Sequence, residues 1–302
     1  MKNKKIFDVI IIGGSYSGLA AGMALGRALK QVLIIDSGMP CNRQTPYSHN
    51  FITQDGKSPA EITAIAKHQV EKYNTVTFFN GIADKGTKTE NGFEITTAAG
   101  EIFSATKLVF ATGIKDIMPN IFGFSECWGI SVLHCPYCHG YEVKNEITGI
   151  LGNGDYAFEF GKLISNWTSA LTIYTNGKST LTQEQTEQLF SHNIAIVETA
   201  IDRFEHDYGH IQKIIFKNGN KSPVTAIYTR TPFKQHSGIP ESLGCALTEE
   251  GYIKIDAAHK TTVDGIYAAG DNVSRMRTVA NAVSMGTTTG MMVNKEIIFE
   301  KF

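Results

Sequence analysis

The stretch that decides the fold is "IFDVIIIGGSYSGLAAG", residues 6–22. Its first seven residues form a short apolar run rich in Ile and Val, which is typical of a strand buried on both faces. A glycine-rich turn follows, and after it comes a segment of helical composition. Residues 31–36, "QVLIID", predict a second buried strand. The order strand, turn, helix and strand predicts a β-α-β unit with two parallel strands.

The turn "GGSYSG" resembles the dinucleotide-binding pattern G-x-G-x-x-G, with Ser15 in the second glycine position. In that pattern Gly13 makes the tight turn, the second position lets the backbone approach a pyrophosphate, and Gly18 lets helix and strand pack closely. The helix N-terminus adds free N–H groups and a positive dipole end. Asp36 ends the next strand, where a carboxylate accepts hydrogen bonds from ribose hydroxyls. We therefore expect these four residues to hold a dinucleotide.

The same pattern recurs about 140 residues further along the chain, a spacing that allows two separate nucleotide folds. A strand "ITGIL" leads into "GNGDYA", an intact G-x-G-x-x-A, which is followed by a helix and by the strand "ALTIYT". That strand continues as "NGK", with no acid for a ribose 2′-hydroxyl and no Arg for a 2′-phosphate. The pattern predicts a second dinucleotide site at Gly152, Gly154 and Ala157, and it leaves the choice between NADH and NADPH open.

Between the two nucleotide patterns lies "HCPYCHGYE", residues 134–142. Cys135 and Cys138 fit a redox dithiol, half of a zinc site or, read together with His139, a covalent haem attachment. Haem attachment follows export, and no export signal is apparent in the N-terminal residues. Zinc needs two further ligands at a suitable spacing. We expect a redox dithiol; His139 is a candidate proton carrier, with an ordinary packed or surface histidine as the alternative.

Composition limits the range of functions. The chain has 302 residues, 42% of them apolar and 19% charged, and its net charge is -1. These values predict about two packed domains and argue against a nucleic-acid or membrane surface. Five cysteines are an odd and sparse set, unlike a secreted disulfide framework. We expect a cytoplasmic protein with no nucleic-acid and no membrane partner.

The whole set of motifs resembles one family. "DVIIIGGSYSGLAAG", "LVFATG", the C-x-x-C pair, "GNGDYA" and "TVDGIYAAGD" together are similar to the low-molecular-weight thioredoxin reductases, within the pyridine nucleotide-disulfide oxidoreductases. The resemblance implies an α/β fold with two three-layer, Rossmann-like domains, the second inserted into the first. It implies a discontinuous FAD-binding domain, residues 1–115 and 244–302, and an NAD(P)-binding-like domain that carries the C-x-x-C, residues 119–240.

The resemblance also implies roles for single residues. Cys138 would be the sulfur nearer the flavin, Cys135 would attack the substrate, and His139 stands where the family has an acid. NAD(P)H would use the second turn, and no metal site is implied. The implied FAD-binding residues lie in both parts of the first domain: Gly13, Ser15, Gly18, Asp36, Gly113, Gly270, Asp271, Val279 and Ala280.

The chain also departs from the family pattern. Pro136 and Tyr137 lie inside the C-x-x-C, His139 follows it, and the arginine motif for NADPH is missing after the second fold. "CPYCHGYE" resembles a subgroup that includes gliotoxin-type dithiol oxidases, in which His49 would lie on the substrate side. Two enzymatic functions therefore stay open. One is reduction of a thioredoxin-like protein or a small disulfide by NAD(P)H. The alternative is O₂-dependent oxidation of a small dithiol. A non-catalytic flavin sensor is a third possibility, and a homodimer is implied by resemblance alone.

Overall fold

A computed structural model of the chain describes residues 6–302, which divide into two compact units. Of the described residues, unit 1 contains 6–43, 59–115 and 233–302. Unit 2 contains residues 44–58 and 116–232. Segment 44–58, which the sequence groups with the FAD-binding domain, belongs to unit 2, where the Gln44 side chain donates a hydrogen bond to the Ser125 carbonyl at 3.2 Å. The assignment of a cofactor to each domain stays a prediction.

Unit 1 is built on a seven-stranded sheet with the order β3-β2-β1-β6-β5-β4, and β17 pairs with β6. The pairs β1–β2, β1–β6, β2–β3 and β6–β17 are parallel, whereas β4, β5 and β6 are antiparallel. The strands are β1 Ile6–Ile12, β2 Val32–Asp36, β3 Val76–Asn80, β4 Ala83–Thr89, β5 Gly92–Thr97, β6 Ile102–Phe110 and β17 Ile266–Ala268.

Alternate residues of β1 pack against different halves of the core, as a strand buried on both faces requires. Ile10 and Ile12 lie in one apolar cluster. Val9 and Ile11 lie in a second cluster, together with residues of the helices Tyr16–Arg27 and Val279–Lys301. The helices of unit 1 are α1 Tyr16–Arg27, α2 Pro59–Val70, α7 Ile239–Ser242 and α8 Val279–Lys301.

Small residues bring α1 and α8 together. A Cβ on Gly286 would overlap the carbonyl oxygen of Ser17, and a Cβ on Gly290 would lie 2.7 Å from the carbonyl oxygen of Ala21. Because backbone atoms cannot yield as side-chain tips do, these two glycines fix the distance between the helices. The first glycine-rich turn therefore packs against the C-terminal part of the chain.

Unit 2 holds a five-stranded parallel sheet, β11-β10-β9-β15-β8, and a three-stranded antiparallel sheet, β12-β13-β14. Its strands are β8 Val132–Leu133, β9 Thr148–Leu151, β10 Leu171–Tyr174, β11 Ala195–Val197, β12 Ile201–Asp207, β13 His210–Phe216, β14 Lys221–Pro223 and β15 Ala226–Thr229. Its helices are α3 Phe124–Cys127, α4 Pro136–His139, α5 Gly154–Ile164 and α6 Gln183–Ser191. Both units confirm the predicted Rossmann-like α/β class, with residues 116–232 inserted into the sequence of unit 1.

The structure differs from the sequence prediction in two places. Residues 232–247 are rich in Pro, Gly and Ser, a composition that predicts a linker, but they contain the short strand β16 Phe233–Gln235, which pairs with β7 Ile114–Asp116, and the helix α7. Strand β4 is not predicted because most of its side chains are exposed, so it lacks an apolar alternation. Among the described residues, no helix is both long and apolar enough to cross a membrane.

A buried lysine ties the C-terminal end of α8 to the sheet of unit 1. Lys107 is 6% exposed, and its Nζ lies 2.7 Å from Glu296 Oε1 and 2.6 Å from Glu300 Oε1. The Tyr267 hydroxyl donates to the other oxygen of Glu296 at 2.5 Å. Burial raises the pKa of Glu296, but hydrogen bonds from Lys107, Tyr267 and Lys260 outweigh it and lower this pKa to about 2.

Replacing Lys107 by Met should lower the free energy of unfolding at pH 7 by about 2 kcal/mol, because it leaves a half-buried carboxylate without its main partner. Because the pKa of Glu296 is lower in the folded than in the unfolded chain, its carboxylate contributes stability above about pH 4.5. This contribution is lost as the pH falls towards 2. The deficit, measured by urea unfolding, should therefore shrink in acid. Lys301→Met is the control: Lys301 is 69% exposed and 3.8 Å from Asp8, so its loss should cost under about 0.5 kcal/mol. Equal losses for both variants would contradict the buried-pair argument.

Candidate active site and cofactor sites

The C-x-x-C pair forms a one-turn helix directly after β8. Cys135 is the N-cap in extended conformation, and Pro136 occupies the first helical position, where its missing N–H costs nothing. Cys138 N–H donates to the Cys135 carbonyl at 3.3 Å. The Cα atoms of Cys135 and Cys138 are 5.3 Å apart, and their sulfurs are joined in a disulfide. The pair is therefore in the disulfide form, which is the oxidised state of the redox dithiol that the sequence predicts.

Aromatic residues pack around this turn. A Cβ on Gly140 would lie 2.8 Å from Nε1 of Trp167, so only glycine fits there without displacing the indole. The Tyr137 ring meets the same indole edge-on at 5.6 Å and is 61% exposed. The His134 ring stacks on Trp128 at 5.9 Å, as expected for a structural histidine. The position of the disulfide is thus fixed by packing on one side, while Tyr137 leaves an aromatic surface beside it.

His139 is half-buried directly after the second cysteine. Burial, and to a smaller extent the nearby His49, lower the pKa of its imidazole to about 4. His49 is itself held between two carboxylates, with Nε2 3.5 Å from Glu142 Oε1 and Nδ1 3.7 Å from Asp55 Oδ2. The predicted residues Cys135, Cys138 and His139 therefore lie in one short turn, and segment 44–58 brings His49 to the same place. At neutral pH the His139 imidazole is therefore uncharged.

The first glycine-rich turn forms an open cradle at the start of α1. Gly13 has φ of +107°, and a Cβ on Gly18 would overlap the carbonyl oxygen of Gly13. Ser15 is the N-cap of α1, but its side chain makes no capping hydrogen bond. Asp36 accepts a hydrogen bond from Gly14 N–H at 3.0 Å, which holds its carboxylate against the turn. The turn thus offers N–H groups that no capping side chain occupies, as binding of a pyrophosphate requires.

The C-terminal residues that are predicted to bind the flavin lie in unit 1, as the first glycine-rich turn does. Gly270 has φ of +92°, and a Cβ there would lie 2.6 Å from Ser17 Oγ. Asp271 Oδ2 lies 3.6 Å from Arg277 Nε. Val279 and Ala280 open α8, whose N-cap Thr278 accepts from Asn281 N–H. Gly113 has φ of +63° and open space around its Cα.

One residue of this region has no motif signal of its own. Asn272 is fully buried, and its Nδ2 donates to the carbonyl of Phe110 at 2.9 Å, which ties "AAGDN" to the end of β6. Its Oδ1 is buried and accepts no hydrogen bond from any described residue. A buried oxygen without a donor is available to accept a hydrogen bond from a bound cofactor. The only sequence signal is its position directly after Asp271.

Comparison with known proteins decides the family. The sequence profile described as pyridine nucleotide-disulphide oxidoreductase matches residues 7–286. The chain belongs to this family. Thioredoxin reductase tcpT of Claviceps purpurea is 31% identical over 99% of this chain and 96% of its own length. The solved structure of TrxB from Bacillus anthracis is similar with a TM-score of 0.94, 32% identity and coverage of 98% of this chain and 100% of that one. An oxidoreductase from Agrobacterium tumefaciens has a TM-score of 0.91 and 34% identity, covering 98% and 99%.

The protein is therefore a thioredoxin reductase-like disulfide oxidoreductase, and its family uses FAD and NAD(P)H. The first turn fits FAD, because Gly13, Gly18 and Gly270 let the turn, the start of α1 and the segment after β17 pack directly against one another, and because Ser15 leaves the N–H groups at the start of α1 without a side-chain cap. The roles of the single FAD-binding residues stay predictions.

The second glycine-rich turn fits a dinucleotide poorly as it stands. Asn153 caps α5, and its Oδ1 accepts from the N–H groups of Gly154 and Thr180 at 2.9 and 2.8 Å. A Cβ on Gly152 would lie 2.6 Å from the ring of Tyr156. Ala157, in the third position of the motif, is fully buried. The motif is intact in sequence, but Asn153 occupies the N–H groups of the turn and the Tyr156 ring occupies the space beside Gly152.

Proposed function

We propose that Cys135 and Cys138 pass an electron pair between a substrate dithiol or disulfide and bound FAD, with His139 as the proton acceptor. The observation that carries this proposal is the disulfide on a one-turn helix, followed directly by a half-buried histidine whose pKa is lowered to about 4. FAD, when bound, supplies a two-electron acceptor and donor. The two sulfurs form a two-electron couple of their own.

The exchange with substrate needs only this chain's sulfurs. In the reducing direction, Cys135 thiolate attacks one sulfur of the substrate disulfide, and the other substrate sulfur leaves as a thiolate that takes up a proton. Cys138 thiolate then attacks Cys135 Sγ in the mixed disulfide. The protein disulfide re-forms, and the second substrate thiol is released. The substrate disulfide gains two electrons and the protein dithiol loses two.

His139 supports this exchange by taking the proton of a thiol as it becomes a thiolate. Burial together with His49 keeps His139 neutral at pH 7, so a ring nitrogen is free to accept the proton, and the lowered pKa makes the imidazolium release that proton again readily. His49, whose ring nitrogens lie 3.5 Å from Glu142 Oε1 and 3.7 Å from Asp55 Oδ2, is a candidate for a second proton carrier beside the first.

His139→Gln should slow thiol–disulfide exchange by about a hundredfold at pH 7, the usual loss for a general base. It should also change the pH dependence of stability. The folded pKa of about 4 lies below the ordinary value of 6.5, so the unfolded chain binds the proton first as the pH falls. The free energy of unfolding of the native protein should therefore fall by up to about 3 kcal/mol between pH 6.5 and 4. The variant should lack this fall, and an unchanged pH profile would contradict the buried, neutral His139.

Two directions of net reaction are compatible with this chemistry. The similarity to thioredoxin reductases supports reduction of a thioredoxin-like protein or small disulfide, with NAD(P)H as the donor, in a cytoplasmic homodimer. The closed second turn, with Tyr156 against Gly152, favours the second candidate, in which a small dithiol is oxidised to a disulfide and O₂ accepts the electrons. Exposed Tyr137 and Tyr141 near the dithiol support a small apolar substrate in either direction.

One pair of assays separates the two directions. The FAD-loaded enzyme is mixed without oxygen with NADH or NADPH, and separately in air with dithiothreitol while O₂ consumption is recorded. Flavin bleaching by a dinucleotide within one turnover supports the reductase. O₂ consumption with dithiothreitol, abolished in Cys138→Ser, supports the oxidase. If neither reaction occurs and the disulfide also resists dithiothreitol, the proposed dithiol chemistry is wrong.

A further inference from the structure

We infer that the second dinucleotide turn is closed by this chain's own side chains, and that Asn153 and Tyr156 are the residues that weaken its binding of NADH and NADPH. The inference concerns binding alone and is independent of the direction of the dithiol reaction. It rests on two sets of contacts within residues 152–180, on the environment of the Tyr156 hydroxyl and on a comparison of the two glycine-rich turns.

The first contact occupies the hydrogen-bond donors of the turn. Asn153 Oδ1 accepts from Gly154 N–H at 2.9 Å and from Thr180 N–H at 2.8 Å, while its Nδ2 donates to the carbonyl of Lys178 at 2.9 Å. A pyrophosphate at a helix N-terminus binds to N–H groups of this kind. The Asn153 carboxamide therefore occupies acceptor positions that a phosphate oxygen would take, and it fixes the loop after β10 against the helix.

The second contact occupies the space of the turn. The Tyr156 ring lies so close that a Cβ on Gly152 would be 2.6 Å from it, and Thr180 Oγ1 lies 2.9 Å from the corresponding position on Gly154. These are the two glycines whose missing side chains let a turn and a pyrophosphate approach each other. Both openings are filled by Tyr156 and Thr180.

The hydroxyl of Tyr156 does not help to hold the ring in its place against Gly152. Its hydroxyl is buried and makes no hydrogen bond to any described residue, and burial raises its pKa. An unpaired buried hydroxyl costs free energy. The ring stacks on Phe160 at 5.2 Å and lines an open groove with Arg230. Removing the Tyr156 ring should therefore widen this groove and give a phosphate group access to the Arg230 guanidinium.

The first turn shows the open alternative in the same protein. Its N-cap, Ser15, makes no side-chain capping bond, whereas Asn153 caps α5. The small Ser17 stands where the second turn has Tyr156, counted from the first glycine of each motif. The two turns follow the same sequence motif but differ in these side chains and in the position of the left-handed glycine, which is Gly13 in the first turn and Gly154 in the second. Substituting Asn153 and Tyr156 therefore tests the side-chain part of the closure.

The test measures binding of NADH and of NADPH by calorimetry to the FAD-loaded protein. We expect Asn153→Gly/Tyr156→Ser to bind at least one of them about tenfold more tightly than the native protein, which is a change of about 1.4 kcal/mol. Glycine is a tolerated N-cap, but the variant also loses the Asn153 hydrogen bonds and the stacking of Tyr156 on Phe160, so its FAD content and its folding at the assay temperature are measured first. Tyr156→Phe keeps the ring and should leave both affinities within about twofold.

Two results would overturn the inference. One is a folded double variant that binds neither dinucleotide more tightly than the native protein. The other comes from the native protein alone: amide hydrogen exchange at Gly154 and Thr180 as fast as in an open loop would show that Asn153 does not occupy these groups. Neither measurement involves Cys135 or Cys138, so a failure here leaves the dithiol proposal standing and a failure of the dithiol proposal leaves this inference standing.

Discussion

Cys138→Ser is expected to lower turnover of disulfides or dithiols by about a thousandfold or more, and to leave Cys135 able to form a mixed disulfide that does not resolve. The reason is the division of work between the sulfurs: Cys135 attacks the substrate, and Cys138 releases it by closing the protein disulfide. With the exposed Cys41 also replaced by Ser, the reduced variant mixed with 5,5′-dithiobis(2-nitrobenzoate) should show one thionitrobenzoate adduct, on Cys135, by mass spectrometry.

Cys135→Ser is the matched control on the other sulfur. It should lose turnover to the same extent but form the adduct on Cys138 at least about tenfold more slowly, because Cys138 is the resolving thiol. A fast, stable adduct on Cys138 would reverse the assignment of the two sulfurs. Turnover within about tenfold of the native protein in either variant would exclude the pair from catalysis.

Gly18→Ala is expected to have the largest effect on cofactor content. The new Cβ would overlap the carbonyl oxygen of Gly13 and lie 2.9 Å from its carbonyl carbon, so α1 must move away from the end of β1. Overpacking against backbone that cannot yield should cost about 3 kcal/mol of unfolding free energy. It should also displace the N–H groups predicted to hold the pyrophosphate. The purified variant should contain little FAD, read from its absorbance spectrum.

Gly22→Ala is the control on the same helix. Its Cβ would lie 2.7 Å from Ile34 Cδ1, the tip of a side chain that can rotate away. Alanine also favours a helix by about 1 kcal/mol over glycine, which offsets the contact. This variant should keep its FAD and its Tm. A Gly18→Ala protein with full FAD content and native Tm would show that the first turn is not the cofactor cradle.

Much of the fold could be predicted from the sequence, because the deciding signals are local. The run 6–12 must be a strand buried on both faces, and the structure divides Ile10 and Ile11 between two core clusters accordingly. The closing of Cys135 and Cys138 follows from their spacing and from Pro136 at the start of a helical turn.

What could not be predicted depends on contacts between distant segments or on side-chain placement. Nothing near His49 in the sequence shows that it meets Glu142, because segment 44–58 reaches unit 2 through tertiary packing. The second nucleotide turn looks intact in sequence, since its glycines are present. Only the position of the Tyr156 ring against Gly152 shows that the turn is filled.

An anaerobic reductive titration of the FAD-loaded protein tests the central claim most directly. If the Cys135–Cys138 disulfide and the flavin exchange electrons, dithionite should be consumed as two electron pairs per FAD in the native protein and as one pair in Cys138→Ser. Thiol counting at the end point should find the two cysteines reduced. Consumption of one electron pair by both proteins, with the disulfide still closed in the reduced native enzyme, would contradict the account.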